Sequence, residues 1–401
     1  MSELSYLEKL LDGAEVEWLP LADLGELIRG NGLPKTDFTE SGIPAIHYGQ
    51  IYTFYGLSTE TTKSFVSKET ANKLRKVNTG DVVITNTSEN LADVGKALVY
   101  LGKEQAVTGG HATIFKPRSS IIGKYFAYFT QTDFFANEKR KYAKGTKVID
   151  VSTSDMAKIT IPIPCPGNPE KSLAIQSEIV RILDAFTALT AELTAELDMR
   201  KKQYKHYLFE CLRFTEVTQY LKIVKCCDIK KGLTPIKKAT PGKYPLVATT
   251  EERQSSSGYQ FDCAAVCVPL ISSRGHGVAT IDRIYFQDGK FALGNILCAI
   301  IPNDSRVLSA KFLRYYLFDK KDVLLVPLMR GGANVSLTVD SLKKVEIPIP
   351  PLAEQQRIVR ILDKFDELVK SLPREIELRQ KQYEYYRDLL FSFPEPESVN
   401  N

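Results

Sequence analysis

IVRILDAF, from Ile179 to Phe186, returns as IVRILDKF, from Ile358 to Phe365, with one residue changed and an offset of 179 positions. The echo continues, because RKKQY at Arg200 to Tyr204 becomes RQKQY at Arg379 to Tyr383 at the same offset. A whole segment is therefore repeated. IPIP precedes each copy, at Ile161 to Pro164 and at Ile347 to Pro350, now with an offset of 186. The seven extra positions fall in CPGNPEKSLAIQSE, which stands where the second copy has only PLAEQQR, as suits a loop before a helix. Prolines flanking isoleucines suit an edge strand leading into a helix start: proline donates no ladder hydrogen bond but is accepted in a first helical turn.

After IPIP the apolar period becomes helical. Ile179, Ile182, Leu183, Phe186, Leu189 and Leu193 fall at spacings of three and four, as do Ile358, Ile361, Leu362, Phe365 and Leu368, continuing to Val369 and Leu372. These seams predict coiled-coil helices of about 38–40 residues, roughly 60 Å long. Arg200, Gln203, Arg379 and Gln382 continue the register inward. There they either fix alignment as polar residues or cover apolar surface with their stems while the heads reach water. Pro373 predicts a kink or a break in the second helix. The first helix also carries a tandem TAEL in LTAELTAEL, Leu189 to Leu197. Adding or removing one unit would change its length by about 6 Å and rotate the remainder of the helix by about 40°. It reads as a ruler.

The regions upstream of the two helices are rich in β-branched and aromatic residues and punctuated by turns such as NTGD, DFTESG, TPGK and FQDG. AVTGGHATIFKP, Ala106 to Pro117, has the skeleton of FALGNILCAIIP, Phe291 to Pro302. Each is followed by an aromatic helical stretch, KYFAYF from Lys124 and KFLRYY from Lys311, and then by a basic glycine turn, KGTK from Lys144 and RGGAN from Arg330. Likeness is lowest in HYGQIYTFYG and TNTSENLAD of the first region and in ATTEERQSSSGYQ and SSRGHG of the second. One fold is used twice with different surfaces. Two ligands, or two sequences on one ligand, are expected.

The totals bound the answer. A chain of 401 residues exceeds one ordinary hydrophobic core and fits two or three domains. Its longest apolar stretch, CAAVCVPLI at Cys263 to Ile271, is half the roughly 18 residues of a membrane helix and reads as a buried strand. MSELSYLEKLLDGAEVEW lacks the basic and apolar character of a signal peptide, so a cytoplasmic location is expected. Seven cysteines without a C-x-x-C pair read as reduced, mostly buried thiols. The net charge of +5 suits a polyanionic partner but also an evenly solvated surface. No phosphate loop, dinucleotide turn, amino-methyltransferase motif, H-E-x-x-H or G-x-S-x-G occurs, and the four histidines have no metal-ligand spacing. His276 in SSRGHG is the one that tempts, with Arg274 beside it, yet a surface-loop histidine explains it as well. The chain reads as non-catalytic by itself.

Two variable regions, each followed by IPIP, a linker such as PLAEQQRIVRILDKFDELV and a long helix ending in RQKQYEYYRDLL, resemble the specificity subunit of type I restriction-modification systems. The resemblance covers essentially the whole chain: YLEKLLDGAEVEWLPL looks like the tail of a conserved helix entering a recognition domain, and YLFECLRFTEVTQYLKIV, Tyr207 to Val224, is its internal counterpart. The tandem TAEL is similar to the repeat by which some members set the gap between half-sites. Two departures are that the first linker is longer and lacks Glu-Gln-Gln, and that Pro373 interrupts a helix.

The resemblance implies an α+β protein, a pseudo-twofold tandem repeat. Two β-rich target recognition domains are separated by two long antiparallel helices forming a coiled coil. The expected divisions are a first recognition domain at 1–164, a helical spacer at 165–213, a second recognition domain at 214–350, a second spacer at 351–393 and a tail at 394–401. Implied partners are double-stranded DNA, two modification subunits docking on the conserved helices, and restriction subunits. S-adenosylmethionine and adenine methylation would belong to the modification subunits, ATP and magnesium to the restriction subunits, and no cofactor to this chain.

Base reading needs side chains that discriminate edges, such as Arg to guanine and Asn or Gln to adenine, with Lys gripping phosphates. That chemistry selects Asn86, Asn90, Lys144 and Lys147 in the first domain, and Arg253, Gln254, Arg274, Arg330 and Asn334 in the second. For Lys144 and Arg330 the alternative is a turn completing a sheet, with glycine there for backbone conformation alone. Three rival functions stay open. The same scaffold could serve a partner that both cuts and methylates, a coiled-coil adaptor would bind proteins insensitively to salt, and an enzyme using His276 would act in isolation.

Overall fold

A computed structural model describes residues 6–214, 218–250, 254–273, 281–331 and 334–394. Its chain divides into two units, Met1–Glu192 with Ile376–Asn401, and Leu193–Glu375. That division crosses both long helices. Each unit thus holds one β-rich region, the start of the helix that follows it and the end of the other helix.

In the first unit, a five-stranded sheet runs in the order Gly25–Arg29, Ala112–Pro117, Val82–Thr85, Ala97–Tyr100, Ser58–Thr59. A second has the order Phe38–Thr39, Ser64–Val66, Ile43–Ile46, Ala106–Thr108, Arg75–Val77. The strands VVIT and ALVY are apolar on successive residues because the first sheet is covered on both faces. Val82, Ile84, Ala97, Val99 and Phe115 point into the core shared with the helices, whereas Val83, Leu98, Tyr100 and Ile114 point into the core beneath the second sheet. Each fully buried aliphatic side chain among them contributes about 1.5–3 kcal/mol.

The second unit is built the same way. Its sheets run Cys227–Lys231, Leu297–Pro302, Ala265–Pro269, Tyr285–Gln287, and Gln254–Ser256, Tyr244–Val247, Lys290–Leu293, Phe261–Asp262. AVCVP, in the long apolar stretch, is buried throughout, with Val266 and Val268 facing one core and Ala265 and Cys267 the other. The seven cysteines are free, and four of them are buried. No helix among the described residues is long and apolar enough to cross a membrane.

IPIP of the first copy, and Ile347–Pro348 of the second, do form a strand beside a single neighbour. Thr160–Pro164 pairs antiparallel with Val16–Pro20, and Glu346–Pro348 with Tyr220–Lys222. The long helices follow at Pro169–Cys211, 43 residues, and Leu352–Leu390, 39 residues. The first exceeds the expected length because it already begins in the PEKS of the insertion. Pro373 does not break the second. Its side chain is exposed, so water can satisfy the carbonyl that loses its donor.

Each helix is fastened to the β-rich region before it by the same side chains. Fully buried Gln176 accepts from the Ile122 N–H (2.9 Å) and donates to the Ser120 carbonyl (3.0 Å). Gln355, 179 positions on and also fully buried, accepts from the Ser309 N–H (2.8 Å) and donates to the Val307 carbonyl (2.8 Å). Asp184 takes Lys124 (2.8 Å) and the Tyr128 hydroxyl (2.7 Å), and Asp363 takes Lys311 (2.6 Å) and the Tyr315 hydroxyl (2.8 Å). The first linker, which lacks Glu-Gln-Gln, keeps the one glutamine this fastening needs.

The helix pairing also recurs. In the first unit Phe186 stacks on Tyr386 at 5.1 Å, and in the second Phe365, the counterpart of Phe186, stacks on Tyr207 at 4.9 Å. Within the second unit, going forward from Tyr207 to Cys211 means going back from Phe365 to the charges of Arg357 and Glu354, so the paired segments run antiparallel. Arg200 and Arg379 each donate to the glutamine three residues on, Gln203 and Gln382, both at 3.0 Å.

The seam residues divide into three kinds. Ile179, Leu183, Ile358 and Leu362 are fully buried in the cores of their own units and have no surface for a docking subunit, which corrects that expectation. Spacing of three and four reports that a face is buried, but not against what. Ile182, Phe186, Leu193, Ile361 and Phe365 are half-buried, while Leu189 and Leu368 are exposed, at 36% and 41%.

Candidate nucleic-acid interface

The first unit brings its least shared segments together at one edge. Thr87–Ser88, from TNTSENLAD, pairs antiparallel with Ile149–Asp150, which closes the hairpin carrying KGTK through a bridge between Lys144 and Asp150. The loop Gly109–Gly110–His111 lies alongside, its His111 carbonyl accepting from the Asn86 N–H. The His111 Nδ1 and Thr87 Oγ1 share a hydrogen bond of 2.9 Å. HYGQIYTFYG supplies the short helix Tyr48–Thr53, capped by His47, whose Nδ1 accepts from the Gly49 N–H. Burial holds the His47 imidazole below its ordinary pKa, as befits a capping group that stays neutral. Tyr48 lies with its ring centroid 4.8 Å from that of His111. Burial, followed by Tyr48, Asp93 and Glu89, raises the Tyr52 pKa, with the Ser88 hydroxyl opposing. The Tyr52 ring centroid lies 6.3 Å from that of Tyr48.

The 88–93 loop is held from inside. Asn90 donates to the Asp93 carboxylate (2.7 Å) and accepts from the Asp93 N–H (2.9 Å). Beneath it, buried Lys139 donates to the carbonyls of Val94 (2.6 Å) and Ala92 (3.4 Å). Burial lowers the Lys139 pKa to about 8, the nearby Lys96 adding to the effect and Asp93 opposing it. At the far side Arg29 reaches Asp150 (3.5 Å) and the Gly110 carbonyl (3.1 Å).

The expected readers are distributed unevenly on this edge. Asn86 is fully buried, its amide donating to the Val151 carbonyl (2.7 Å) and accepting from Thr113 (2.8 Å). It ties strands together and has no edge free for a base. Residue type alone could not distinguish that use from base reading. Asn90 is exposed but occupied by Asp93. Lys144 and Lys147 are exposed on the hairpin, Lys144 near Asp155 at 3.4 Å, and Gly145 has φ +102°, so the turn does require glycine.

The second unit repeats the edge in its backbone. Ser273 pairs with Asn334 as Ser88 pairs with Ile149, each position displaced by 185, and Arg330–Gly331 pairs alongside. Arg330 is exposed and donates to the Pro327 carbonyl (2.8 Å), with Gly331 at φ +133°. Gln254 is exposed at the start of a strand opposite Leu246. Arg253, Arg274, His276 and the tail from 395 onward lie outside the described residues. Side chains at this edge differ at several positions: Ile296 stands where the first unit has His111, and Lys231 where it has Arg29.

Sequence reasoning missed His111, Tyr48, Tyr52, Arg29 and Lys139. The available signal for His111 was that it is one of several polar residues, with Thr108, Thr113 and Lys116, that align with apolar or thiol residues in the second copy. Among the described residues no three His, Cys, Asp or Glu side chains gather as a metal site.

Comparison with known proteins points one way. The sequence matches the type I restriction modification DNA specificity domain over residues 14–199 and 219–378. It is 36% identical to the EcoR124I/EcoR124II type I restriction enzyme specificity subunit of Escherichia coli, with all of both chains covered. It is 32% identical to the EcoprrI specificity subunit, also of Escherichia coli, over 93% of each chain. Among solved structures, the S subunit of the type I restriction-modification system of M. genitalium has a similar fold, with a TM-score of 0.62 at 13% identity, covering 96% of this chain and 98% of that one.

Proposed function

Because the chain belongs to the type I restriction-modification DNA specificity family, we propose that its two units read the two halves of a bipartite duplex site, while the paired helices set the unread gap and dock two modification subunits. Restriction subunits join that assembly. S-adenosylmethionine and the methylation of adenine belong to the modification subunits, ATP and magnesium to the restriction subunits. This chain supplies reading and placement and makes or breaks no bond.

The observation that supports this most is the doubled edge. Two β-rich regions fastened identically to their helices present the same hairpin and strand with different side chains, as two unlike half-sites require. Exposed Lys144, Lys147 and Arg330 supply positive charge there for phosphate contact.

Co-expression with a candidate modification subunit, followed by genome-wide mapping of methylated adenines, tests the proposal. The expected result is one bipartite motif with two unlike halves. Deleting one TAEL unit should change the gap and neither half. Scattered methylation, or none from an assembled complex, contradicts the reading.

A further inference from the structure

We infer that His111 and Tyr52, braced by Tyr48, are specificity-determining residues of the first recognition domain, reading base edges while the Lys144–Lys147 hairpin beside them grips the backbone. The inference rests on the proposed function and adds the identity of the readers.

Three observations converge. First, His111 is exposed, yet its ring is held by a hydrogen bond with Thr87 (2.9 Å) and packs against the ring of Tyr48, tilted at 45° with centroids 4.8 Å apart. An imidazole so held has Nε2 left to meet a ligand, as a donor or an acceptor according to tautomer. Second, His111 and its two braces come from three separate segments: the helix Tyr48–Thr53, the strand Thr87–Ser88 and the Gly109–His111 loop. Two of these are the stretches that the copies share least. Third, the counterpart of His111 is Ile296, a half-buried residue packed against the core under the second sheet. The scaffold needs no polar group at this position, so the first unit's histidine calls for another explanation.

The loop is also preorganised. Lys139 fixes the carbonyls of residues 92 and 94 from below, and Asn90 and Asp93 close the turn above them. Tyr52, whose ring centroid lies 6.3 Å from that of Tyr48, offers a hydroxyl that both donates and accepts. A rigid arrangement of this kind discriminates between bases because a wrong edge leaves a polar group unpaired. By contrast, Lys147 on the hairpin tip makes a contact that carries no sequence information.

The test uses the full chain assembled with its modification subunit, carrying His111→Ile, Tyr52→Phe or Lys147→Ala. Binding is measured to duplexes with every single-base change in each half of the mapped motif, and unfolding by urea is measured alongside. His111→Ile and Tyr52→Phe should each lower discrimination by about tenfold at one or two positions in a single half. The other half, the gap and the unfolding midpoint should stay put. Lys147→Ala should weaken all duplexes alike and reduce the salt slope by about one. The inference fails if both reader variants keep the wild-type preference at every position, or lose affinity uniformly as Lys147→Ala does. Tyr52→Phe, which removes one oxygen, decides the matter if His111→Ile does not fold. Absence of a bipartite motif in the wild-type complex would overturn the proposed function instead.

Discussion

The second unit ties its recognition domain to the helices with a contact that the first unit lacks. Arg314, mostly buried, faces Asp366 at 3.8 Å, and its guanidinium lies over the rings of Tyr315 and Phe318. The buried hydroxyl of Tyr204 lies in the same unit without a hydrogen-bond partner, its pKa raised to about 12 by burial first and then by Asp366. The first unit has Ala127 for Arg314 and Thr187 for Asp366, with Thr187 bonded to the Leu183 carbonyl (2.9 Å) and lying 3.3 Å from the Tyr128 hydroxyl. Around this difference the glutamine and aspartate fastenings are the same in both units. Orientation of the domain on its helix is thus set by Gln176 and Gln355 with Asp184 and Asp363. The neighbouring positions tolerate a buried charge pair or a small apolar and hydroxyl pair.

The strongest way to break that equivalence is to cut the shared fastening. Gln176→Leu strands the Ile122 N–H and the Ser120 carbonyl, and Gln355→Leu strands the Ser309 N–H and the Val307 carbonyl. Each is expected to cost its unit about 2–4 kcal/mol. Urea unfolding followed by Trp18 fluorescence, the single tryptophan, and by far-ultraviolet dichroism checks this. Gln176→Leu should move the Trp18 transition and Gln355→Leu the other. Strongly unequal losses would show that the two attachments do different jobs.

Converting the second unit toward the first sharpens the comparison further. Arg314→Ala leaves Asp366 partly buried with Lys370 as its remaining ion pair, and a loss of about 1–3 kcal/mol is expected. Adding Asp366→Thr should recover part of it, because the pair is worth less than the cost of stranding one member. A double variant no better than the single would mean that Thr187 is accommodated by more than its own position.

The smallest expected effect concerns a charge inside the first unit only. Lys139→Met leaves the Val94 carbonyl without its donor and should cost about 1–2 kcal/mol in the Trp18 transition. The pH dependence has a definite sign. Burial lowers this lysine's pKa from the ordinary 10.5 to about 8 in the folded chain, so between those values the unfolded chain holds more protons. This contribution to stability therefore rises with pH across that window and is flat below it. Unfolding measured in urea from pH 7 to 10 should show that slope in the wild type and lose it in Lys139→Met.

Much of this architecture was legible in the sequence for a plain reason. A duplicated helix repeats its apolar period and its polar fastenings together, so the 179-residue offset marks Gln176, Asp184 and Phe186 as surely as it marks Ile179. Less legible was what each face packs against. Ile179 and Ile358 had the spacing of a coiled-coil seam but serve the cores of the recognition domains. At the loop edge residue type misled outright, as with Asn86, whose amide suits adenine and is consumed by Val151 and Thr113. His111 went unnoticed because its importance lies in meeting Tyr48 and Thr87, which are 63 and 24 positions away in the chain.

If two unlike readers stand on one scaffold, a reader should be transferable. The most direct measurement replaces residues 220–350 with 18–164, joining at Trp18 and Tyr220, which face Pro162 and Pro348 at equivalent ladder positions. Methylated adenines are then mapped in cells carrying the modification subunit. The expected motif has the first half-site on both sides of the gap, as an inverted repeat. A chain that folds and assembles but keeps the original asymmetric motif would contradict the account.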